Sequence, residues 1–166
     1  MLPINDQLSP YLSPQFTGLL IHIHLNTHQH ALIDGLLQHE DLRERLSAVV
    51  ERTRRSPRLT SAQRLPAHRV AGCASDVWLI GELTDARCIF RSDADSAVVR
   101  GLVALTADFF SGARPEDIVA TVEDPLELLD LKRSLSPTRR HGLAAVVSAI
   151  RQFAESQLPR ESTTSA

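Results

Sequence analysis

Of the 18 basic residues in this 166-residue chain, only one, Lys132, is a lysine. A pyridoxal Schiff base needs a lysine amine, so such chemistry would rest on Lys132 alone, and no pyridoxal cofactor is expected. Cysteine is equally scarce: Cys73 and Cys88 are the only two. In a reducing compartment they read as free thiols rather than a bridge. Charge of one sign is also missing. A formal net charge of −2 gives no electrostatic reason to bind nucleic acid or an acidic membrane surface. No apolar stretch approaches the roughly 20 residues that cross a bilayer. The start, Met1-Leu2-Pro3-Ile4-Asn5-Asp6, lacks the basic and apolar segments of a secretory signal. A cytoplasmic location is expected.

What is present is the length and apolar content of one globular domain. Residues 1–15 are rich in Pro, Ser and Asn and read as a loose arm, and residues 16–25 (FTGLLIHIHL) alternate as a short strand does. Residues 26–30 read as a turn. Residues 31–37 and 40–53 read as helices, the second with Leu42, Leu46, Val49 and Val50 on one face. A polar connector with Pro57 and Pro66 fills 54–67. Residues 75–80 and 87–91 are β-prone runs joined by 81–86, a hairpin. From about residue 95 to 110, Val98, Leu102, Leu105 and Phe109 form an apolar stripe that Val99, Val103 and Phe110 widen. Pro115 and Pro125 each open a short helix, the second behind Asp124 as cap. Ser136-Pro137 repeats the device for a last helix with Leu143, Val146, Val147, Ile150 and Phe153 inward. The expected divisions are a divergent arm over 1–38, the domain over 39–156 and a disordered tail over 157–166.

The chemistry concentrates in His68-Arg69-Val70-Ala71-Gly72-Cys73-Ala74-Ser75-Asp76-Val77-Trp78-Leu79. Cys73 has small neighbours that let a partner's site close around the sulfur, and Arg69 or His68 would favour its thiolate by folding back towards it. The alternative is a structural cysteine. A hairpin turning at Leu83-Thr84 places Cys88 opposite Leu79 or Ile80 and Cys73 opposite Ala94 or Asp95. The sulfurs are then on the order of 20 Å apart, beyond disulfide reach. Cys88, between Arg87 and Ile89, reads as a small buried hydrophobe. The same register brings Ser92-Asp93-Ala94-Asp95 beside Cys73. Ser92 or Asp93 is expected to cap the following helix, with Asp95 in its first turn. Asp95 has a second expected role, holding the Cys73 loop.

Four blocks carry a resemblance: R-V-A-G-C-A-S-D-V-W-L, S-D-A-D-S-A-V-V-R-G-L-V-A-L, S-G-A-R-P-E-D-I and L-S-P-T-R-R-H-G-L. In this order and spacing, over about residues 69–154, they resemble the SufE/CsdE sulfur acceptors. The resemblance implies an α+β fold, a compact SufE/IscU-like domain whose three-stranded antiparallel sheet packs against helices. It makes Cys73 the persulfide acceptor, Asp95 the acid near the acceptor loop and Arg139 the arginine of the family's last block; Arg69, Gly72, Ser75 and His68, read from their places beside the cysteine, are the expected supporting residues. It implies a SufS/CsdA-type cysteine desulfurase as donor, the Suf scaffold complex as recipient, and a carrier and activator rather than an enzyme. Ala74 stands where the family usually has glutamine, and Thr138 where serine is usual.

Three other readings compete. A Csd-type relay would feed another sulfur pathway. A cluster scaffold of IscU type would need about three cysteine ligands. A thiol enzyme would pair Cys73 with His68 or His141. His22 and His24 share one face of the expected strand, and with His28 and His30 they form a weak candidate metal site that no acid or cysteine completes.

Overall fold

In a computed structural model, which describes residues 25–159, the chain enters its first helix at Asn26. Its carboxamide accepts from the Gln29 N–H at 2.9 Å, and the Gln29 side chain accepts from the Asn26 N–H at 3.0 Å. This reciprocal capping box starts helix α1, Thr27–Leu37, four residues before the helix expected from periodicity alone. The expected turn over residues 26–30 is therefore a cap and first helical turn. Helix α2, Leu42–Arg54, follows behind Asp41, which accepts from the Glu44 N–H. Leu32, Ile33 and Leu36 of α1 and Val49 of α2 join the core. The strand expected over residues 16–25 lies outside the described residues but for Leu25, which is in neither helix nor strand.

Strands β1, Val77–Thr84, and β2, Arg87–Ala94, form an antiparallel hairpin. Its two-residue turn is Asp85-Ala86, with φ of 50° and 60°, the left-handed pair that matches strand twist in tight hairpins. This corrects the expected register. Cys88 pairs with Leu83 and Ala94 with Val77, so Cys73 stands outside the ladder and not across from Ala94 or Asp95. The error has a physical origin at Gly81, the first residue of the expected joining segment, which lies in β1 and serves packing. A Cβ there would meet the Phe153 ring at 2.8 Å, and that ring also meets Phe90 edge-on.

Among the described residues the sheet has two strands, not the three expected. A third run begins and stops: Arg69 bridges Trp78, and the Val70 N–H donates to the Val77 carbonyl at 2.9 Å. A short 3-10 turn, Pro66–His68, precedes it, and Gly72, with φ of 87°, ends it in a conformation that favours glycine.

Helix α3, Ala97–Phe110, is the hub. Leu102, Val103, Phe109 and Phe110 are wholly buried, each contributing about 1.5–3 kcal/mol relative to exposure. The α+β arrangement is completed by α4 (Pro115–Ala120), α5 (Pro125–Leu128), a 3-10 turn at Leu131–Ser134, and α6 (Pro137–Gln157). Asp124 caps α5 and Ser136 caps α6, with proline in the first turn of each, as expected. Leu143, Val146, Val147 and Ile150 turn inward from α6. Among the described residues no helix is long and apolar enough to cross a membrane.

Candidate functional site

Cys73 sits on the loop between the Arg69–Trp78 bridge and β1, laid against the first turns of α6. Its Sγ–H donates to the Gly142 carbonyl at 3.3 Å. The approach depends on Gly142 lacking a side chain, since a Cβ there would lie 3.3 Å from Sγ and 3.4 Å from the Cys73 Cα. Arg69 forms an ion pair with Asp76 across the loop base. Burial pushes the Cys73 thiol above its ordinary value, and the Arg69 charge pulls it partly back.

Beneath the sulfur is a cavity of about 30 Å³. Ser75 and Val77 line it from the loop and β1, Val99, Leu102 and Val103 from α3, and Thr138, Arg139 and Leu143 from α6. It has room for one atom or molecule of about water size. Its walls are mostly apolar, so a group seated there meets few hydrogen-bonding partners. Arg139, exposed in the first turn of α6, stands at its rim. A cation there opposes the helix dipole, and its own N–H is the one that the Ser136 hydroxyl receives, at 3.4 Å.

The expected site residues thus separate. Cys73, Gly72, Ser75, Arg69 and Arg139 come together around the loop and cavity. His68 is tied by Nδ1 to the Gln63 carbonyl at 2.8 Å. His141 is exposed, its Nε2 3.7 Å from where a Cβ of Gly72 would lie. The thiol's hydrogen bond goes to a carbonyl and to neither imidazole. Asp95 reaches the loop only through its backbone, its N–H donating to the Asp76 carbonyl at 3.2 Å. Its carboxylate faces Arg64 at 3.8 Å, in place of the expected contact with Cys73. His22 and His24 lie outside the described residues, and His28 contacts the Asp108 carbonyl at 2.9 Å. Among the described residues, no group of three or more metal-ligating side chains, His30 included, is gathered for a metal.

The acid that the sequence misplaced is Asp93. It does not cap α3; Ser96 does, without a side-chain bond. Asp93 is fully buried and accepts from Arg64 Nη2 at 2.6 Å, Arg58 Nη2 at 3.3 Å, and the N–H groups of Leu59 and Ala94 at 3.1 and 2.9 Å. Burial alone would raise its pKa, but the Arg58, Arg64 and Ala94 hydrogen bonds hold it below the usual carboxylate value. The available signal was two arginines in a connector facing a strand-end acid, visible only once that connector folds over the sheet.

The SufE family, described as the Fe-S metabolism associated domain, matches residues 30–154. A protein of Rhizobium meliloti (strain 1021) named an uncharacterized SufE-like protein is 33% identical over 135 residues, covering 77% of this chain and 95% of its own. Another of that description, from Rhizobium etli, is 34% identical over 131 residues, covering 75% and 87%. One from Synechocystis is 28% identical over 111 residues, covering 67% and 70%. The solution structure of a hypothetical protein from Thermus thermophilus superposes with a TM-score of 0.65 at 13% identity, over 80% of this chain and 96% of that one. At that identity the likeness is one of fold.

Proposed function

Because the chain belongs to the SufE family, whose domain is associated with Fe–S metabolism, we propose that Cys73 is a persulfide acceptor serving a SufS/CsdA-type cysteine desulfurase. The observation that carries this reading is a partly exposed thiol on a glycine turn, directly over a cavity with room for about one sulfur atom. In the transfer, the Cys73 thiolate attacks the terminal sulfur of the desulfurase's cysteine persulfide. A new S–S bond forms at Cys73, the old one breaks, and the desulfurase cysteine leaves as a thiolate. The proton on the terminal sulfur stays with it, and no net oxidation occurs. The desulfurase turns over faster because its persulfide is cleared, which makes this protein a carrier and activator rather than an enzyme.

Each site residue has a part in that step. Gly72 and Gly142 set the sulfur's position, Arg69 and Asp76 clasp the base of the loop, and Arg139 at the rim meets the partner or the transferred sulfur. Ala74, where the family usually has glutamine, leaves the outer side of the loop small. The cargo then passes to a Suf scaffold complex in the cytoplasm, or along a Csd-type relay to another sulfur pathway. A thiol enzyme built on Cys73 with His68 or His141 is less well supported, given the thiol's bond to the Gly142 carbonyl.

Intact-mass analysis after incubation with a desulfurase and cysteine tests the proposal. One added sulfur, mapped to the Cys73 peptide, is expected. Cys73→Ser should lose both sulfur uptake and desulfurase stimulation, while Cys88→Ser keeps most of each. Full stimulation by the Cys73→Ser protein would refute the assignment.

A further inference from the structure

Arg64 occupies a junction that the persulfide chemistry leaves unexplained. Its guanidinium bonds the buried Asp93 at 2.6 Å, faces Asp95 at 3.8 Å, and lies 5.0 Å from the centre of the Trp78 ring. Its Nε is buried with no hydrogen-bond partner. A buried donor left unmade is costly, so the placement is not explained by hydrogen bonding alone. What Arg64 touches is the base of the Cys73 loop. Trp78 bridges Arg69 on the incoming side, and the Asp95 N–H holds the Asp76 carbonyl on the outgoing side. Arg64 itself leads into the 3-10 turn at Pro66–His68, which delivers Val70 to its bond with Val77.

We propose that Arg64 is the positioning residue of the Cys73 loop: pinned by Asp93 and stacked on Trp78, it keeps the loop folded down on α6 and sets how often Cys73 is presented. The planar fork is needed for this part. It spans two carboxylates while its face covers an indole, which a lysine ammonium cannot do. The pairing with Asp93 anchors it, and the longer, exposed contact with Asp95 is the part that gives way first. The partner's view of Cys73 therefore depends on a side chain nine positions earlier in the chain. This extends the acceptor reading for the part that concerns a partner, but the loop's own motion is measurable without one.

The test is alkylation of the free protein by iodoacetamide, with both native cysteines kept and resolved by peptide mapping. In Arg64→Met, Cys73 should react about five- to tenfold faster, as a larger share of molecules presents it. Cys88, buried in β2, should react no faster, which separates local release from global loosening. Trp78 is the sole tryptophan, so its emission should shift to the red in the same variant. Arg64→Lys should fall between the two, and it decides the matter if Arg64→Met does not fold. Cys73 reactivity and Trp78 emission unchanged in a folded variant would overturn the proposal, as would equal acceleration of Cys73 and Cys88. With a desulfurase added, Arg64→Met should lower the apparent KM for the carrier and leave kcat unchanged. Failure of the parent protein to take up sulfur would overturn the acceptor reading instead, leaving the alkylation result to stand on its own.

Discussion

Replacing Gly142 by alanine should separate the stability of this protein from the seating of its thiol. Gly142 is a buried residue in the second turn of α6. A glycine inside a helix costs roughly 0.5–1 kcal/mol relative to alanine, through the backbone entropy lost on folding. The new methyl would stand 3.3, 3.4 and 3.6 Å from Sγ, Cα and Cβ of Cys73. Carbon contacts are most favourable at about 3.5–4.0 Å, so one side must give by a few tenths of an ångström. The helix cannot, because Leu143, Val146 and Ile150 fix it in the core. The loop can, because Ala71, Gly72 and Ala74 are exposed.

The helical gain and the crowding therefore nearly cancel, and the melting temperature should stay within about 4 °C of the parent's, the shift that ~1 kcal/mol makes in a domain of this size. Cys73, by contrast, is lifted from a cavity that the methyl now enters. Its alkylation should quicken about tenfold, equivalent to ~1.4 kcal/mol in the closing of the loop. A persulfide formed there should be lost to glutathione correspondingly faster, followed by intact mass over time. Unchanged alkylation and persulfide lifetime in a folded Gly142→Ala protein would refute the claim that this close approach shelters the sulfur. A fall in melting temperature beyond about 10 °C would refute the claim that the loop is the side that yields.

Three further outcomes are expected. Arg139→Ala should slow sulfur transfer about tenfold in single-turnover loading while leaving the melting temperature level or slightly raised, since it removes a cation from the first turn of a helix, an interaction of about 0.3–1 kcal/mol; unchanged transfer would make Arg139 a plain surface residue. The rate of Cys73 alkylation in the free protein should climb through pH values above the ordinary cysteine value of about 8.5, because burial raises the thiol's pKa more than Arg69 lowers it. Arg69→Ala should move that midpoint higher still, and a midpoint at or below the ordinary value would contradict the sheltered thiol. Asp93, with its pKa depressed in the fold, contributes stability that is present above its unfolded value of about 3.9 and is lost as pH falls through the folded value. Asp93→Asn should be less stable at neutral pH, by about 1.5–3 kcal/mol, as the charge-assisted bonds from the partly exposed Arg58 and Arg64 are weakened. It should also show a flatter loss on acidification below about pH 4 in thermal melts.

The parts of this fold legible in the sequence were those set locally. Ser136-Pro137 and Asp124-Pro125 mark helix starts because cap and proline act within one turn. The stripe from Val98 to Phe110 declares a buried helix because its period is its own. Cys73 stood out for its small neighbours and for the blocks around it. Long-range packing was not legible. Gly81 was assigned to the joining segment because nothing local reveals that Phe153, 72 positions later, needs the space. That misreading displaced the hairpin register and, with it, the partners assigned to Asp93 and Asp95. The role of Asp93 was hidden for a related reason: a strand-end acid looks like a cap until Arg58 and Arg64 are known to fold over it.

Helix α6 is seated at both ends by glycines, its own Gly142 under the Cys73 loop and Gly81 of β1 under its Phe153. Each residue in a helix advances the direction of side chains by about 100°. A single insertion or deletion between Gly142 and Phe153 would leave one seat filled and aim the other side chain a quarter-turn or more away. Such length changes should therefore be absent from this stretch in viable descendants of the sequence. They should collect instead in exposed connectors such as the one between α1 and α2, where the chain can lengthen without moving either end of α6. Lineages of this protein are then free to vary such outlying links, but not the distance along α6 that couples the sulfur loop to the hairpin.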